Sequence, residues 1–170
     1  MKKLFLFLFI AATITTVHAQ EIDTIPPYQK DSLHVPDFTV LKTDSSYANQ
    51  SVIPKDKPVV IIYFSPTCGH CQITADEFSK KMAELKGIYF VWVSYYPLPE
   101  IKEFAKKFNL QQFTNITIGR DPNYTIPSYF RVKFTPFMAV YNKEHHLIQT
   151  YPQGTEADTL IALLKEKDQE

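Results

Sequence analysis

Runs of hydrophobic residues alternate with amphipathic stretches along most of this chain. Six consecutive apolar residues, Val59 to Phe64, are rich in β-branched types and predict a central strand buried on both faces. Ser65-Pro66-Thr67 ends that run. Cys71, Ala75, Phe78, Met82 and Leu85 then recur at steps of three and four, the stripe of one amphipathic helix, with Gly87 at the position of a C-terminal cap. Ile88 to Tyr95 reads as a second strand, and Ile101, Phe104, Ala105 and Phe108 mark one face of a further helix. Ile116-Thr117-Ile118 is a brief strand. Phe137–Tyr141 and His146–Tyr151 form a hairpin around Asn142-Lys143-Glu144. A last helix is opened by Thr155 with Asp158 three residues on, and carries Leu160, Ile161 and Leu164 inward. Upstream, Val35 to Ser51 alternates short extended pieces with turn residues and predicts an edge β-hairpin. The order of elements predicts an α/β protein with a mixed sheet covered by helices.

The first residues follow a different pattern. Lys2-Lys3 precedes the apolar segment Leu4–Ala12, and Val17-His18-Ala19 places small side chains where a signal peptidase reads them. The apolar core is about half the roughly 20 residues a membrane span needs, so residues 1–19 read as a cleavable signal peptide rather than a stable anchor. Residues 20–35, with Pro26-Pro27, read as a flexible leader, and 36–170 as one domain. The expected location is the periplasm or cell envelope. Lys+Arg and Asp+Glu both count 18, and no charge excess points to nucleic acid or anionic lipid.

Export sharpens the meaning of the cysteines. Only Cys68 and Cys71 exist, and a bridge between them closes too short a loop to stabilise a fold much. Redox chemistry is the better reason for the pair. At a helix N-terminus the free N–H groups and the macrodipole favour a thiolate, the form that attacks disulfides. Cys68 precedes the predicted helix and is the expected nucleophile; Cys71 lies on the buried stripe and is expected to resolve the mixed disulfide. Gly69 leaves room for a partner backbone. His70 either adds charge beside Cys68 or is a solvent-exposed spacer.

A strand, then Cys68-Gly69-His70-Cys71 at the start of a helix, then Thr135-Pro136 before a hairpin, resembles the thioredoxin-fold family. The added helix and strand between Leu98 and Asp121, with Val35-Pro36-Asp37-Phe38-Thr39, resembles its exported TlpA/ResA-like branch. The resemblance covers about residues 36–166. It implies a three-layer thioredoxin-like fold with a helix–strand insert and an N-terminal β-hairpin. It also implies a cis bond before Pro136, which would face the dithiol while Thr135 offers backbone hydrogen bonds to a client. The activity implied is thiol–disulfide exchange by a monomer through the Cys68–Cys71 pair, without a bound cofactor or metal. Its partners would be protein clients and an upstream membrane electron donor. The same Cys-Gly-His-Cys tetrapeptide occurs in protein disulfide isomerases. Three positions depart from the family pattern: Thr67 replaces the usual Trp, Ile62 the buried acid, and Thr74 the glutamate of TlpA-like helices. Proton transfer at Cys71 is left to water, His70 or Glu77.

Other chemistries fit less well. A peroxiredoxin needs P-x-x-x-T-x-x-C, but Ile61 and Ser65 occupy the Pro and Thr places before Cys68. Gln72 stands where haem attachment needs His, and zinc would need four ligands. A Cu(I) metallochaperone using both cysteines and His145-His146 is the alternative reading. Trp92 and Tyr63 fall within strand patterns and are expected in the core; Tyr95-Tyr96 would border a partner groove.

Overall fold

The computed structural model describes residues 25–30 and 34–167, so the signal-peptide reading of residues 1–19 lies outside the described residues. In chain order the elements are α1 (Pro27–Lys30), β1 (Thr39–Lys42), β2 (Tyr47–Asn49), β3 (Val59–Tyr63), α2 (Gly69–Lys80), α3 (Met82–Leu85) and β4 (Tyr89–Ser94). They continue with α4 (Leu98–Lys107), β5 (Ile116–Arg120), α5 (Thr125–Phe130), β6 (Phe137–Tyr141), β7 (Leu147–Tyr151) and α6 (Ala157–Lys167). The strands form one sheet in the order β2-β1-β5-β4-β3-β6-β7. Strands β3, β4 and β5 run parallel; β6 and β7 extend the sheet antiparallel on one side, and β1 and β2 on the other.

Strand parity builds the three layers. Successive strand side chains point to opposite faces. Val60, Ile62, Phe64, Phe90, Trp92, Met138 and Val140 therefore share one apolar cluster with the buried residues of α2, α3, α4 and α6. Val59, Ile61, Tyr63, Val91, Phe137 and Ala139 share the second with Ile126 and Phe130 of α5. All five residues of β3 are buried, as the unbroken apolar run required. Trp92 and Tyr63 lie in the core as expected. Tyr28 of α1, inside the segment read as a leader, packs its ring 5.2 Å from that of Phe130. Among the described residues no helix is long and apolar enough to cross a membrane.

Several local expectations are corrected. The stripe from Cys71 to Leu85 belongs to two helices, because Lys81 leaves helical geometry at φ −96° and ψ 11°. Its N–H still bonds to Glu77 O at 2.9 Å, so Met82 and Leu85 keep their inward phase. Gly87 follows α3 without the left-handed conformation of a C-terminal cap. Helix α6 is capped from elsewhere: its Ala157 N–H donates to Glu77 Oε1 at 2.9 Å, and Asp158 pairs with Lys81 at 2.6 Å. Strand β5 runs two residues past Ile118, and α5 had no periodic signal at all in its six residues.

The N-terminal hairpin joins the sheet at one tight place. β1 pairs with β5 through Leu41–Arg120 and Lys42–Gly119. A Cβ on Gly119 would overlap Leu41 O and lie 2.6 Å from Val40 Cγ1. Gly119→Ala is expected to lower stability by about 1–3 kcal/mol, the range for overpacking a filled site. Urea unfolding followed by circular dichroism measures this.

Candidate active site

The dithiol sits where β3 hands over to α2. Phe64 N–H bonds to Val93 O at 3.0 Å, the chain turns through Ser65-Pro66-Thr67, and Cys68 N–H closes that turn on Ser65 O at 3.1 Å. Cys68 is the N-cap residue, with extended backbone at φ −77° and ψ 123°, and its own C=O receives the first helical bond from Gln72 N–H. Its half-buried Sγ donates to Thr135 O at 3.3 Å. Cys71, one turn in, is fully buried, and its Sγ accepts the Ser65 N–H at 3.5 Å. Both cysteines are thiols. Gly69 faces open space, and a Cβ there would meet nothing within 4 Å.

The structure brings Thr135 and Pro136 against this pair, and the bond between them is cis. Gly154, at φ 76°, lets the segment after β7 lie on the Pro136 ring; a Cβ there would come 2.7 Å from Pro136 Cγ. Sequence reasoning passed over Gly154, whose signal was only a glycine between a strand and a helix.

Environment separates the two thiols. Partial burial pushes the Cys68 pKa up, but the Cys71 N–H, contacts with Thr135 and the Cys71 thiol, and the His70 N–H outweigh it and bring it below the ordinary cysteine value. Burial pushes the Cys71 thiol up to about 12, the Ser65 N–H opposing it and the neighbouring Cys68 adding to it. The His70 side chain is exposed, and what that residue contributes at Cys68 is its backbone N–H.

The carboxylates are elsewhere. Ile62 is buried in β3 and Thr74 in α2, and Glu77 is committed to the Ala157 N–H, which corrects its candidacy as a proton carrier for Cys71. The active-site turn carries exposed hydroxyl contacts. Ser65 Oγ lies 3.0 Å from Thr67 Oγ1, which lies 3.2 Å from Tyr96 Oη. The insert helix braces the same turn: Lys107 Nζ donates to Gln72 Oε1 at 2.9 Å, and Gln72 Nε2 to Pro66 O at 3.0 Å.

Beside Cys68 opens a cavity of about 460 Å³ whose walls include Tyr63, Tyr95, Tyr96, Tyr124, Phe134 and Thr135. Tyr95 and Tyr96 therefore border a groove at the dithiol, and Tyr95 stacks on Tyr124 at 5.6 Å. Asp121 organises that wall. It is 1% exposed, and its carboxylate accepts the N–H groups of Asn123, Thr125 and Ile126 at 3.3, 3.1 and 2.9 Å. The sequence had shown Asp121 only as the end of the insert; the Asp-Pro-Asn turn signal at 121–123 was the available clue.

Seven mixed strands, flanking helices and a thiol pair at a helix mouth opposite a cis-proline define a thioredoxin-like fold. The sequence profile of the AhpC/TSA family matches residues 32–153, and the chain belongs to that family. It is similar to protein disulfide-isomerase A2 of Pongo abelii, 31% identical over 75 residues, which is 43% of this chain and 14% of that protein's length. A secreted Mycobacterium tuberculosis disulfide oxidoreductase homologous to E. coli DsbE superposes with a TM-score of 0.63 at 21% identity, covering 76% of this chain and 95% of that one. The peroxidoxin BcpB of the same organism gives 0.65 at 19% identity, covering 78% and 94%. These structural likenesses are of fold.

Two outcomes are expected. Iodoacetamide should modify Cys68 before Cys71, with a pH midpoint below the roughly 8.5 of a free cysteine, because the thiolate persists to lower pH at a depressed pKa. Mass spectrometry of alkylated peptides across pH reads both. Asp121→Ala should cost about 1–3 kcal/mol in thermal unfolding, since it leaves buried N–H groups at the start of α5 without an acceptor.

Proposed function

We propose that this chain is an exported thiol–disulfide oxidoreductase of TlpA/ResA-like type that reduces disulfides in protein clients of the cell envelope. The observation that carries this reading is the asymmetry of the thiols, Cys68 reachable with a lowered pKa and Cys71 buried with a raised one. The Cys68 thiolate attacks a client disulfide, one client sulfur leaves as thiolate, and a mixed disulfide forms. Cys71 then attacks Cys68 Sγ, so the client leaves with two electrons and its second thiol while Cys68–Cys71 becomes the disulfide. An upstream donor, in this reading a membrane protein, returns two electrons and two protons. Thr135 and Pro136 would hold the client's extended backbone, and the exposed His70 would lie at the edge of the contact.

Export rests on the Lys2-Lys3 and Leu4–Ala12 pattern and on the likeness to a secreted protein. The reductase direction rests on the TlpA/ResA-like resemblance. The potential against glutathione is expected near the roughly −270 mV of thioredoxin; a value near roughly −120 mV would reverse the direction. Peroxidase chemistry is disfavoured because Ile61, buried in β3, and Ser65 stand where the peroxiredoxin pattern needs Pro and Thr. For the Cu(I) alternative, β3–β6 register matters: it sets Tyr141 opposite Val59, so His145 and His146 lie at the far end of the sheet from the cysteines.

Cys71→Ser should accumulate covalent mixed disulfides with envelope proteins on non-reducing gels, and Cys68→Ser should abolish insulin reduction. Tight Cu(I) binding by the wild type, with neither activity, would instead support the metallochaperone.

A further inference from the structure

Six large hydrophobic side chains stand exposed among the described residues, and three of them, Tyr95, Tyr124 and Phe134, are walls of the cavity beside Cys68. Single exposed apolar residues are ordinary on a protein surface, whereas several rimming one concavity mark a contact site. Tyr96 and the buried Tyr63 line the same cavity, so five aromatic rings meet there. Its polar side chains are few: Ser65, Thr135 and the exposed Lys133.

The walls are fixed before anything binds. Tyr124 has φ 54° and ψ 31°, a left-handed backbone that a bulky side chain rarely takes. Asp121 holds it there, because its carboxylate accepts the N–H groups of Asn123 on one side and of Thr125 and Ile126 on the other. In that conformation the Tyr124 ring stacks on Tyr95 with planes 28° apart, and the Tyr95 ring lies 4.7 Å from that of Tyr96. Across the cavity Val132 N–H bonds to Pro127 O at 3.0 Å and fixes the segment that leads into Phe134 and Thr135. A slot built in advance loses little freedom when it is filled.

Thr135 belongs both to this wall and to the reacting centre, since its carbonyl accepts the Cys68 thiol at 3.3 Å. The cavity is therefore continuous with the place where a client disulfide must lie. We propose that Tyr95, Tyr124 and Phe134 form a subsite for an aromatic side chain of the client, two residues from the cysteine that Cys68 attacks. The inference rests on the thiol–disulfide reading above and names a client class for it. Side chains of an extended peptide alternate in direction and rise about 3.3 Å per residue, so the second residue from the client cysteine shares its side, roughly 7 Å along. Charge decides between the occupants that a ring-lined slot could take. A client cation would gain cation–π attraction, but Lys133 stands in the same wall to repel it, and no carboxylate lines the cavity among the described residues. An uncharged ring meets no such repulsion. Offset or edge-on contact with the tyrosine pair then favours it over an aliphatic chain of similar size.

Selectivity among peptides tests this. Reduced full-length Cys71→Ser protein is mixed with peptides whose single cysteine is disulfide-bonded to glutathione and which carry Phe, Leu, Ala or Lys two positions before or after it. Attack of the Cys68 thiolate on the peptide sulfur expels glutathione as thiolate and leaves a Cys68–peptide disulfide, whose growth is followed by mass spectrometry. At one of the two positions Phe is expected to react about tenfold faster than Ala and about threefold faster than Leu, with Lys no faster than Ala. In the same background Tyr124→Asn removes the ring but keeps a residue that tolerates the left-handed backbone, and Phe134→Ser removes a ring from the opposite wall. Each should bring the Phe-to-Leu ratio close to one. Tyr47→Ser, which removes an exposed tyrosine of the edge strand β2, should leave that ratio as it was. Equal rates for all peptides would overturn the subsite, and so would a preference for Lys or a Phe preference that survives both ring removals. A Phe preference that fades as protein concentration rises, with dimers in sedimentation, would seat a second copy of this chain in the groove and overturn it too. Absence of an adduct with any peptide would instead overturn the oxidoreductase reading itself.

Discussion

The seat of α2 on the even-numbered face of β3 is the contact on which the site depends. Phe78 meets Phe90 and Trp92 with ring centroids 5.6 and 6.0 Å apart, both edge-on, and Cys71 and Ala75 complete the buried stripe. Aromatic pairs of this geometry add directional preference to the burial that drives the packing. With the helix fixed in that phase, Cys71 cannot reach solvent and Cys68 cannot be buried. One turn of helix thus gives two chemically identical side chains opposite electrostatic environments. The same placement carries Cys68 Sγ to Thr135 O, 67 positions away in sequence.

Later parts of the chain hold that arrangement from three sides. The insert contributes Lys107, which fixes Gln72 and through it the Pro66 carbonyl. Helix α6 is tied to α2 through Glu77 and to Lys81 through Asp158. The segment after β7 reaches Pro136 because Gly154 has no side chain to keep it away. Asp121 shapes the remaining wall by ending β5 and starting α5. Most of these contacts are single hydrogen bonds; those of Lys107, Glu77 and Asp158 join elements distant in sequence, whereas those of Asp121 are local. Hydroxyls of the active-site turn make a surface contact with Tyr96 of the β4 end.

Much of this was legible in the residue pattern, for identifiable reasons. Strands β3, β4 and β6 are buried on both faces, so their apolar runs had no polar positions to blur the signal. Helices α2 and α4 carried threefold and fourfold spacing that only a half-buried helix produces. The position of Cys68-Gly69-His70-Cys71 after a strand and at a helix start located the dithiol before any tertiary contact was known. Local patterning determined the sheet, the flanking helices, the identity of the thiol pair and which of the two faces inward. What caps α6 and the partner of Glu77 were decided only in the tertiary structure. Those features depend on groups separated by up to 80 positions, as Glu77 and Ala157 are, and no local period encodes such a meeting. The contact of Thr67 Oγ1 with Tyr96 Oη is of the same kind, because the two come together only when the β3 and β4 ends lie side by side in the parallel sheet.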